Sequence, residues 1–287
     1  MPRLRLVAPS IESVTASVFE LPPLSDWAGE LAALSVPQAW PTLKQLEDLR
    51  EKMQSEDAIE RPCFVAQTID LLADGLHYEE RIRLGCLATR EQNWHDLLNA
   101  LVWLRYPRIK HALNVAQCAD IAHIGPRART RAQCAMTHFD EAGAVILCCD
   151  PSLIALWNQH DWHGLFWRER AAWGERIGVQ IFGHAILELA LHPERLLTAK
   201  CIVLMTDAAR IDDLHLDAVL GRREIDACVA GLIAGGRVLA DPQNLRPLPL
   251  SGIPGWHADS VSESFFSDAP CFRPVRPGRC YPPPSTL

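Results

Sequence analysis

The stretch REQNWHDLLNALVWLRY, residues 90–106, carries the strongest indication of how this chain folds. Its large apolar residues recur at spacings of three and four, so that they share one face of a helix. These residues are Trp94, Leu97, Leu98, Leu101 and Leu104. The spacing predicts an amphipathic helix over 90–106, which Pro107 ends.

The opposite side of this helix is polar at first and apolar further along. Its residues in chain order are Gln92, His95, Asp96, Asn99, Val102, Trp103 and Tyr106. A helix that is apolar on both sides is normally buried on both sides, and a buried polar group without a partner costs about 1–3 kcal/mol. We therefore expect His95, Asp96 and Asn99 to line a functional cleft or to join an internal network, with a plain wet surface as the third alternative.

A second segment, VQIFGHAILELALH at 179–192, repeats the combination of a polar stripe and apolar surroundings. Its polar side chains, Gln180, His184, Glu188 and His192, stand four residues apart, which predicts a core helix over 179–191 with one polar seam. His184 and Glu188 are spaced for joint metal ligation, or for a carboxylate that orients an imidazole. A satisfied core pair without a function is the alternative.

Further helices are predicted near 42–54, 62–76, 151–157, 165–174, 214–220 and 224–234, and strands at 144–149 and 201–205. Thr42 is a predicted N-cap, with Gln45 placed to complete a capping box. The fold class is therefore mainly α with a small β-sheet (α+β), in a single compact globular unit. We divide this unit into an irregular lead (1–41), a helical core with two short strands (42–240) and an irregular Pro/Gly-rich tail that wraps the surface (241–287).

Composition excludes several classes of protein. The net charge of −7 argues against non-specific nucleic-acid binding by the whole surface. The longest apolar runs cover about seven residues, far fewer than the roughly 20 that a membrane-spanning helix needs. The ten cysteines include no C-x-x-C pair, which favours buried thiols in a reducing compartment over a zinc or disulfide framework. We expect a cytoplasmic protein without membrane contact, whose oligomeric state stays open.

The charge is unevenly distributed along the chain. Residues 77–131 contain nine Lys and Arg but five acidic residues, so this segment could attract a small anionic ligand, or form a solvated face balanced by neighbouring acids. Asp140 and Glu141 precede the turn at Gly143, where paired acids serve either a site or the turn itself. The candidate substrate-binding residues are Arg90, Asn93, Asn99, Lys110, Asn114, Arg129, Thr137, Asp140, Glu141 and Trp256.

Several motifs resemble those of one protein family. They are NWHDxxNALxW (93–103), PxxK (107–110), TxFDExG (137–143), GHA (183–185), PLPL (247–250) and GIPGW (252–256). Together they resemble the bacterial domain of unknown function 3025 (DUF3025) family, over residues from about 60 to 275. The resemblance implies a bacterial cytoplasmic protein, and it implies no activity.

Our leading hypothesis is a metal-dependent or acid–base hydrolase that acts on a small anionic substrate. His95, Asp96, His184 and Glu188 would be its catalytic residues and the ligands of a divalent transition metal. A non-catalytic binding protein for an anionic metabolite or nucleotide, with Trp256 and the tail closing over the ligand, is one alternative. A structural or partner-docking protein is another. The enzyme hypothesis requires His95 and His184 to meet in space.

Overall fold

The structure, a computed structural model, describes residues 8–211 and 218–287. Its helices include α1 (Ala28–Ala33), α2 (Leu43–Asp57), α3 (Ile69–Leu72), α4 (Tyr78–Arg83), α5 (Trp94–Arg105), α6 (Pro107–Ile124), α7 (Arg131–Ala142), α8 (Pro151–Asn158), α9 (His184–Leu189), α10 (Ala218–Ala234) and α11 (Phe265–Asp268). Its strands are β1 (Cys63–Ala66), β2 (Cys86–Thr89), β3 (Gly143–Cys148), β4 (Ile177–Ile181), β5 (Thr198–Met205), β6 (Arg246–Pro249) and β7 (Ser285–Thr286). None of the helices in these two ranges has the length and apolar character that crossing a membrane requires.

The main sheet is mixed, with strand order β4-β3-β5-β6 and with β7 beside one end of β5. Strands β3 and β5, both predicted from the sequence, run parallel with Ala144 opposite Cys201. Strands β4 and β6 flank them in antiparallel orientation. All six residues of β3 are buried, which explains why its sequence is a continuous apolar run. A separate parallel pair, β1 and β2, completes a mixed α+β fold in which helices predominate.

Helix α5 is the buried helix that its sequence predicts. Leu98, Ala100, Leu101, Val102 and Leu104 are all completely inaccessible to solvent, so both sides of the helix are covered. The helix begins at Trp94 and not at Arg90, because the Asn93 side chain accepts a hydrogen bond from the Asp96 backbone N–H at 3.0 Å and caps it there. The capping box of Thr42 and Gln45 is also present at the start of α2.

Three of the predicted helices are wrong in part, and tertiary pairing explains two of them. The third, predicted over 165–174, forms a π-helical turn at Gly164–Arg168 and a 3-10 turn at Arg170–Ala172. Residues 63–66 of the predicted 62–76 helix form β1, which pairs with β2 and leaves only the single turn α3 as helix. In the predicted 179–191 helix, the residues up to Ile181 belong to strand β4. They do so because this β-branched segment pairs with one edge of β3. The helix proper begins only at His184. Residues 214–217 of the helix predicted near 214–220 lie outside the described residues.

The tail contributes to the sheet and to the core. Strand β6 pairs with β5, and Leu248 and Leu250 are fully buried. Phe265 and Phe266 also belong to the hydrophobic core. Most of the remaining tail lies in turns, short 3-10 helices and stretches without regular structure, as expected for a segment rich in Pro and Gly.

A buried carboxylate joins α10 to the start of α6. Asp226 is 2% exposed and accepts hydrogen bonds from the backbone N–H groups of Ile109 at 2.9 Å and Arg108 at 3.1 Å. Pro107 occupies the first turn of α6, so these N–H groups have no partner within the helix. Burial nevertheless outweighs this hydrogen bonding and raises the pKa of Asp226 to about 6.

This raised pKa predicts a pH dependence of stability. Between the ordinary pKa near 3.8 and the folded-state pKa of about 6, the folded protein holds more protons on Asp226 than the unfolded chain does. The free energy of unfolding should therefore fall as the pH rises from about 4 to about 6, by up to about 3 kcal/mol from this group. Urea unfolding of wild type and Asp226→Asn across this range should give a difference that changes with pH. A difference that is flat from pH 4 to 7 would contradict the assignment.

Candidate metal centre

Three helices bring the two predicted histidines together. His95 lies in the first turn of α5, His184 is the first residue of α9, and Glu141 lies in the last turn of α7. The Nε2 atoms of His95 and His184 are 3.1 Å apart. The contact between the two predicted polar stripes, on which the enzyme hypothesis depends, is therefore present in the structure.

Gly183 makes this meeting possible because it packs directly on backbone. A Cβ at position 183 would lie 2.4 Å from the Gly143 backbone N and 2.6 Å from both the Ala142 Cα and the Glu141 carbonyl oxygen. The N–H groups of Phe182 and Gly183 donate to the Gly143 carbonyl at 3.0 and 2.8 Å. The junction from β4 to α9 is thus held against the junction from α7 to β3. This contact places His184 beside Glu141.

His95, Glu141 and His184 form a set of potential metal ligands. Each residue offers one ligand atom, and these three atoms all lie within 4.8 Å of one another. The shortest carboxylate distance joins Glu141 Oε2 to His184 Nε2 at 3.6 Å. The His184 side chain is 3% exposed, whereas those of His95 and Glu141 are 34% and 42% exposed. The set is therefore anchored on a buried imidazole and is open to solvent on its other side.

Glu188 orients the His95 ring through its Nδ1 atom, on the side of the ring away from His184. Its Oε2 accepts a hydrogen bond from His95 Nδ1 at 2.9 Å, and this bond raises the pKa of His95 above its ordinary value although partial burial opposes the rise. A proton fixed on Nδ1 leaves the Nε2 lone pair of neutral His95 directed at His184 and Glu141. This carboxylate–imidazole arrangement is the usual outer shell of a metal-ligating histidine.

His184 is held in its neutral form. Desolvation lowers its pKa to about 3, more than the nearby Asp140 carboxylate compensates. Nδ1 of His184 is buried and, among the described residues, has no hydrogen-bond partner. Because neutral imidazole carries one proton, a proton on Nδ1 leaves Nε2 with a lone pair that faces His95. In that tautomer the two lone pairs, 3.1 Å apart, repel each other unless a cation lies between them. With the proton on Nε2 instead, His184 donates a hydrogen bond to His95 Nε2.

A buried network supports Asp140, the neighbour of Glu141. Lys110 Nζ donates to Asp140 Oδ1 at 2.6 Å and to Asn99 Oδ1 at 2.8 Å, and Asn99 Nδ2 donates to the Tyr78 hydroxyl at 3.0 Å. Burial opposes ionisation of Asp140, but the Lys110 ammonium holds the pKa of this carboxyl below its usual range. Lys110 is 5% exposed, so this cation serves the network and is not free for an anionic ligand.

Asp96 lies outside the set of ligand atoms. Its two carboxylate oxygens accept hydrogen bonds from Arg90 Nε at 2.9 Å and from Arg90 Nη2 at 2.7 Å. One oxygen also accepts from the Arg90 backbone N–H. The spacing of His95 and Asp96 suggested one shared stripe, but adjacent residues of a helix point about 100° apart. That angle directs Asp96 to Arg90 while His95 faces α9.

The other predicted substrate-binding residues are spread around this centre. Asn93 is the N-cap of α5, and Asn114 donates to the backbone carbonyl and the carboxylate of Glu79 at 2.8 and 2.7 Å. Thr137 is half-buried on α7, one helical turn before Glu141. Arg129 is exposed in the loop before α7, and Trp256 is half-buried against the core. No contact of Arg129 or Trp256 with the two histidines occurs among the described residues.

The comparisons with known proteins agree with the motifs. The family model described as "Protein of unknown function (DUF3025)" matches residues 63–276, most of the chain. The chain belongs to the DUF3025 family. Neither the comparison with curated proteins nor that with solved structures gives a match. The match confirms the family resemblance and assigns no chemistry to it.

All members of the site lie within the part of the chain that matches the DUF3025 model. Sequence reasoning found His95, His184 and Glu188 but placed Glu141 among the substrate-binding residues, and it missed Tyr78 and Glu79. The motif TxFDExG carried the available signal for Glu141, because it puts the acid two residues before the turn into a buried strand. Tyr78 and Glu79 lie in a short helix without apolar periodicity, so their hydrogen bonds to Asn99 and Asn114 could not be predicted.

The close packing of Gly183 predicts the effect of one added methyl group in this DUF3025 protein. Gly183→Ala should lower the free energy of unfolding by about 1–3 kcal/mol, because rigid backbone and not a flexible side chain must move. Gly231→Ala is the matched control, since a Cβ there meets nothing within 4 Å and the residue lies inside α10. This control should stabilise the protein by about 0.5–1 kcal/mol. Urea denaturation measures both values, and equal stability of the two variants would contradict the packing argument.

Proposed function

We propose that this protein is a metal-dependent hydrolase whose divalent transition metal is bound by His95, Glu141 and His184. The observation that carries the proposal is the convergence of their three ligand atoms within 4.8 Å. Two neutral imidazoles with one carboxylate form the ligand set of many catalytic zinc sites, which leave a further position for water or substrate. The set includes Glu141 in place of Asp96 and Glu188, which were expected from the sequence as ligands, and Glu188 takes the alternative role of orienting a histidine.

Two of the three distances between ligand atoms are close to those of tetrahedral coordination, whereas the third, between His95 and Glu141, is known to lie within 4.8 Å. With metal–ligand bonds of about 2.0–2.1 Å, the ligand atoms of a tetrahedral ion lie roughly 3.3 Å apart. The observed separations of 3.1 Å between the two Nε2 atoms and 3.6 Å from His184 Nε2 to Glu141 Oε2 bracket this value. In the tautomer of His184 that carries its proton on Nδ1, a cation between the two Nε2 lone pairs would also remove their repulsion. The arrangement thus suits an ion without a large change of backbone position.

Surrounding residues support each ligand. Glu188 fixes the tautomer of His95, and the Asp140 carboxylate favours positive charge on the His184 imidazole, which strengthens it as a donor. A divalent ion held there would act as a Lewis acid toward a carbonyl or phosphoryl oxygen and would ease deprotonation of water. Arg90 is half exposed and lies within electrostatic range of Glu188. Its guanidinium is paired with Asp96, so an anionic substrate at the rim would have to displace that carboxylate.

One observation favours a metal-independent variant of this function. Without an ion, a protonated His95 can donate from Nδ1 to Glu188 and from Nε2 to His184 Nε2 at 3.1 Å. Such a charged imidazole could serve as a general acid, as the acid–base form of the sequence hypothesis expects. A cytoplasmic location also remains part of the proposal, supported by ten cysteines that are all free thiols.

Elemental analysis of protein purified without a histidine tag tests the ligand set. Wild type should contain about one equivalent of a transition metal, because the three donors lie in one place. His184→Ala and Glu141→Gln should lose it. Asp96→Asn is the matched control, since it alters the acid adjacent to His95 but outside the set, and it should retain the metal. Retention in Glu141→Gln together with loss in Asp96→Asn would show that the wrong carboxylate was chosen.

The Glu188 contact gives a second, quantitative prediction. Glu188→Gln removes the charge that fixes His95 but leaves all three ligands, so Zn²⁺ affinity should fall by about 10–100-fold. Competition with a chromophoric chelator measures this affinity. An unchanged affinity would mean that Glu188 has no part in orienting the ligand.

The hydrolase assignment itself needs turnover. Chromogenic esters, amides and phosphate esters of small acids should include at least one substrate that the metal-loaded wild type hydrolyses and His184→Ala does not. Turnover that survives chelation would favour the acid–base variant. Zinc without turnover would favour the binding-protein alternative, and bound iron would contradict a hydrolase in favour of oxygen chemistry, for which the same ligand set is suited.

A further inference from the structure

A second cavity, separate from the metal-ligand set, is lined by unusually many cations. It has a volume of about 580 Å³ and lies between strands β5 and β6 and the tail segment 270–281. Lys200, Arg273, Arg276 and Arg279 line it together with His160 and Tyr281. No Asp or Glu is among its lining residues in the described parts of the chain. A concentration of positive charge without acids is notable in a protein of net charge −7.

The register of the sheet explains how a lysine comes to line this cavity. Side chains of a strand alternate between its two faces, and in β5 the buried residues Ala199 and Cys201 alternate with the half-buried Thr198 and Lys200. Lys200 lies opposite Pro247 of β6, whose ring lines the same cavity. The lysine is therefore fixed to the floor of the cavity by the sheet and is not a mobile surface side chain.

The cations in this cavity lack counter-charges. Among the described residues, the side chains of Lys200, Arg276 and Arg279 make no hydrogen bond and no ion pair, although Arg279 stacks on Tyr281 at 4.9 Å. Asp241 lies within electrostatic range of Arg279, but Arg131 occupies its carboxylate. Burial lowers the pKa of Lys200, and repulsion from Arg279 and Arg276 lowers it further. Elsewhere the arginines at the metal-ligand set and on α5 are paired with acids.

The walls of the cavity are held rigid before any ligand binds. His160 Nε2 bonds the Tyr281 hydroxyl at 2.9 Å, and His160 Nδ1 bonds the Arg273 backbone carbonyl at 3.0 Å. Trp162 Nε1 donates to the same carbonyl at 2.7 Å. The tail is therefore fastened on both sides of Arg276 and Arg279. A preorganised site loses less entropy on binding than a flexible one.

We propose that this cavity binds a small molecule that carries a diphosphate or triphosphate group. Its volume lies within the range of ligand sites, about 300–1,000 Å³. Guanidinium and ammonium groups are the usual partners of phosphate oxygens. Because Lys200, Arg276 and Arg279 are three cations without an acidic partner among the described residues, we expect a ligand with at least two negative charges. This site is independent of the proposed metal centre and does not require it.

Isothermal titration with sodium pyrophosphate and with ATP, in buffer free of divalent metal, tests the proposal. Both should bind wild type, and binding should weaken as salt rises because the contacts are ionic. Lys200→Met and Arg279→Gln should each weaken binding by about tenfold or more, as expected for loss of a charged hydrogen bond. Lys52→Met, on the exposed face of α2, removes one positive charge elsewhere and should bind like wild type.

The outcomes distinguish this site from the metal centre. His184→Ala should bind pyrophosphate as wild type does, and loss of binding in that variant would place the anion at the metal-ligand set instead. Equal affinity in Lys200→Met, Arg279→Gln and wild type would overturn the assignment. So would tighter binding of citrate than of pyrophosphate, or binding of a single-stranded oligonucleotide without binding of pyrophosphate. Circular dichroism of both cavity variants confirms that each is folded before titration.

Discussion

Gly183 rests on the backbone of Glu141 to Gly143, and this contact connects the sheet to the candidate site. Two chain junctions meet there, one that leaves β4 for α9 and one that leaves α7 for β3. A side chain at Gly183 would separate them, and a Cβ at Gly143 would lie 2.2 Å from the Phe139 carbonyl oxygen and would disturb the end of α7. Because His184 and Glu141 are each within two residues of this contact, their separation is determined by backbone packing and not by the flexibility of their side chains.

The protonation states of the groups around this junction vary with their depth below the surface. The deepest imidazole, His184, is kept neutral by burial, whereas His95 nearer the solvent is drawn toward protonation by Glu188. Asp140 remains ionised only because Lys110 neutralises it within a network that reaches Tyr78. A low dielectric makes each of these interactions stronger and each missing partner more costly. The interior thus contains polar groups that hold two donor nitrogens and a carboxylate in one place.

The sequence predicts the parts of this arrangement that depend on local periodicity. It gives the burial of α5, strands β3 and β5, and His95 and His184 as members of two polar stripes, because each follows from a pattern along one element. The meeting of the two histidines is a requirement of the enzyme hypothesis that no such pattern contains. It does not predict that Ile177–Ile181 is a strand, since pairing with β3 overrides a helical pattern. It also favours Asp96 over Glu141 as a ligand. That choice depends on where α7 ends relative to α9, and the spacing within a single helix contains no information about another helix.

The two candidate sites both depend on the strand pair β3 and β5, so their geometry depends on the register between these strands. Gly143 of β3 lies opposite Lys200 of β5, so the residue that supports the metal-ligand set is paired with the residue on the floor of the cationic cavity. Helix α7 likewise carries Glu141 at one site and His138 at the other. A slip of one residue between β3 and β5 would turn Lys200 to the opposite face of the sheet. The burial of all six residues of β3 opposes such a slip. The apolar run of β3 therefore also maintains the geometry of both sites.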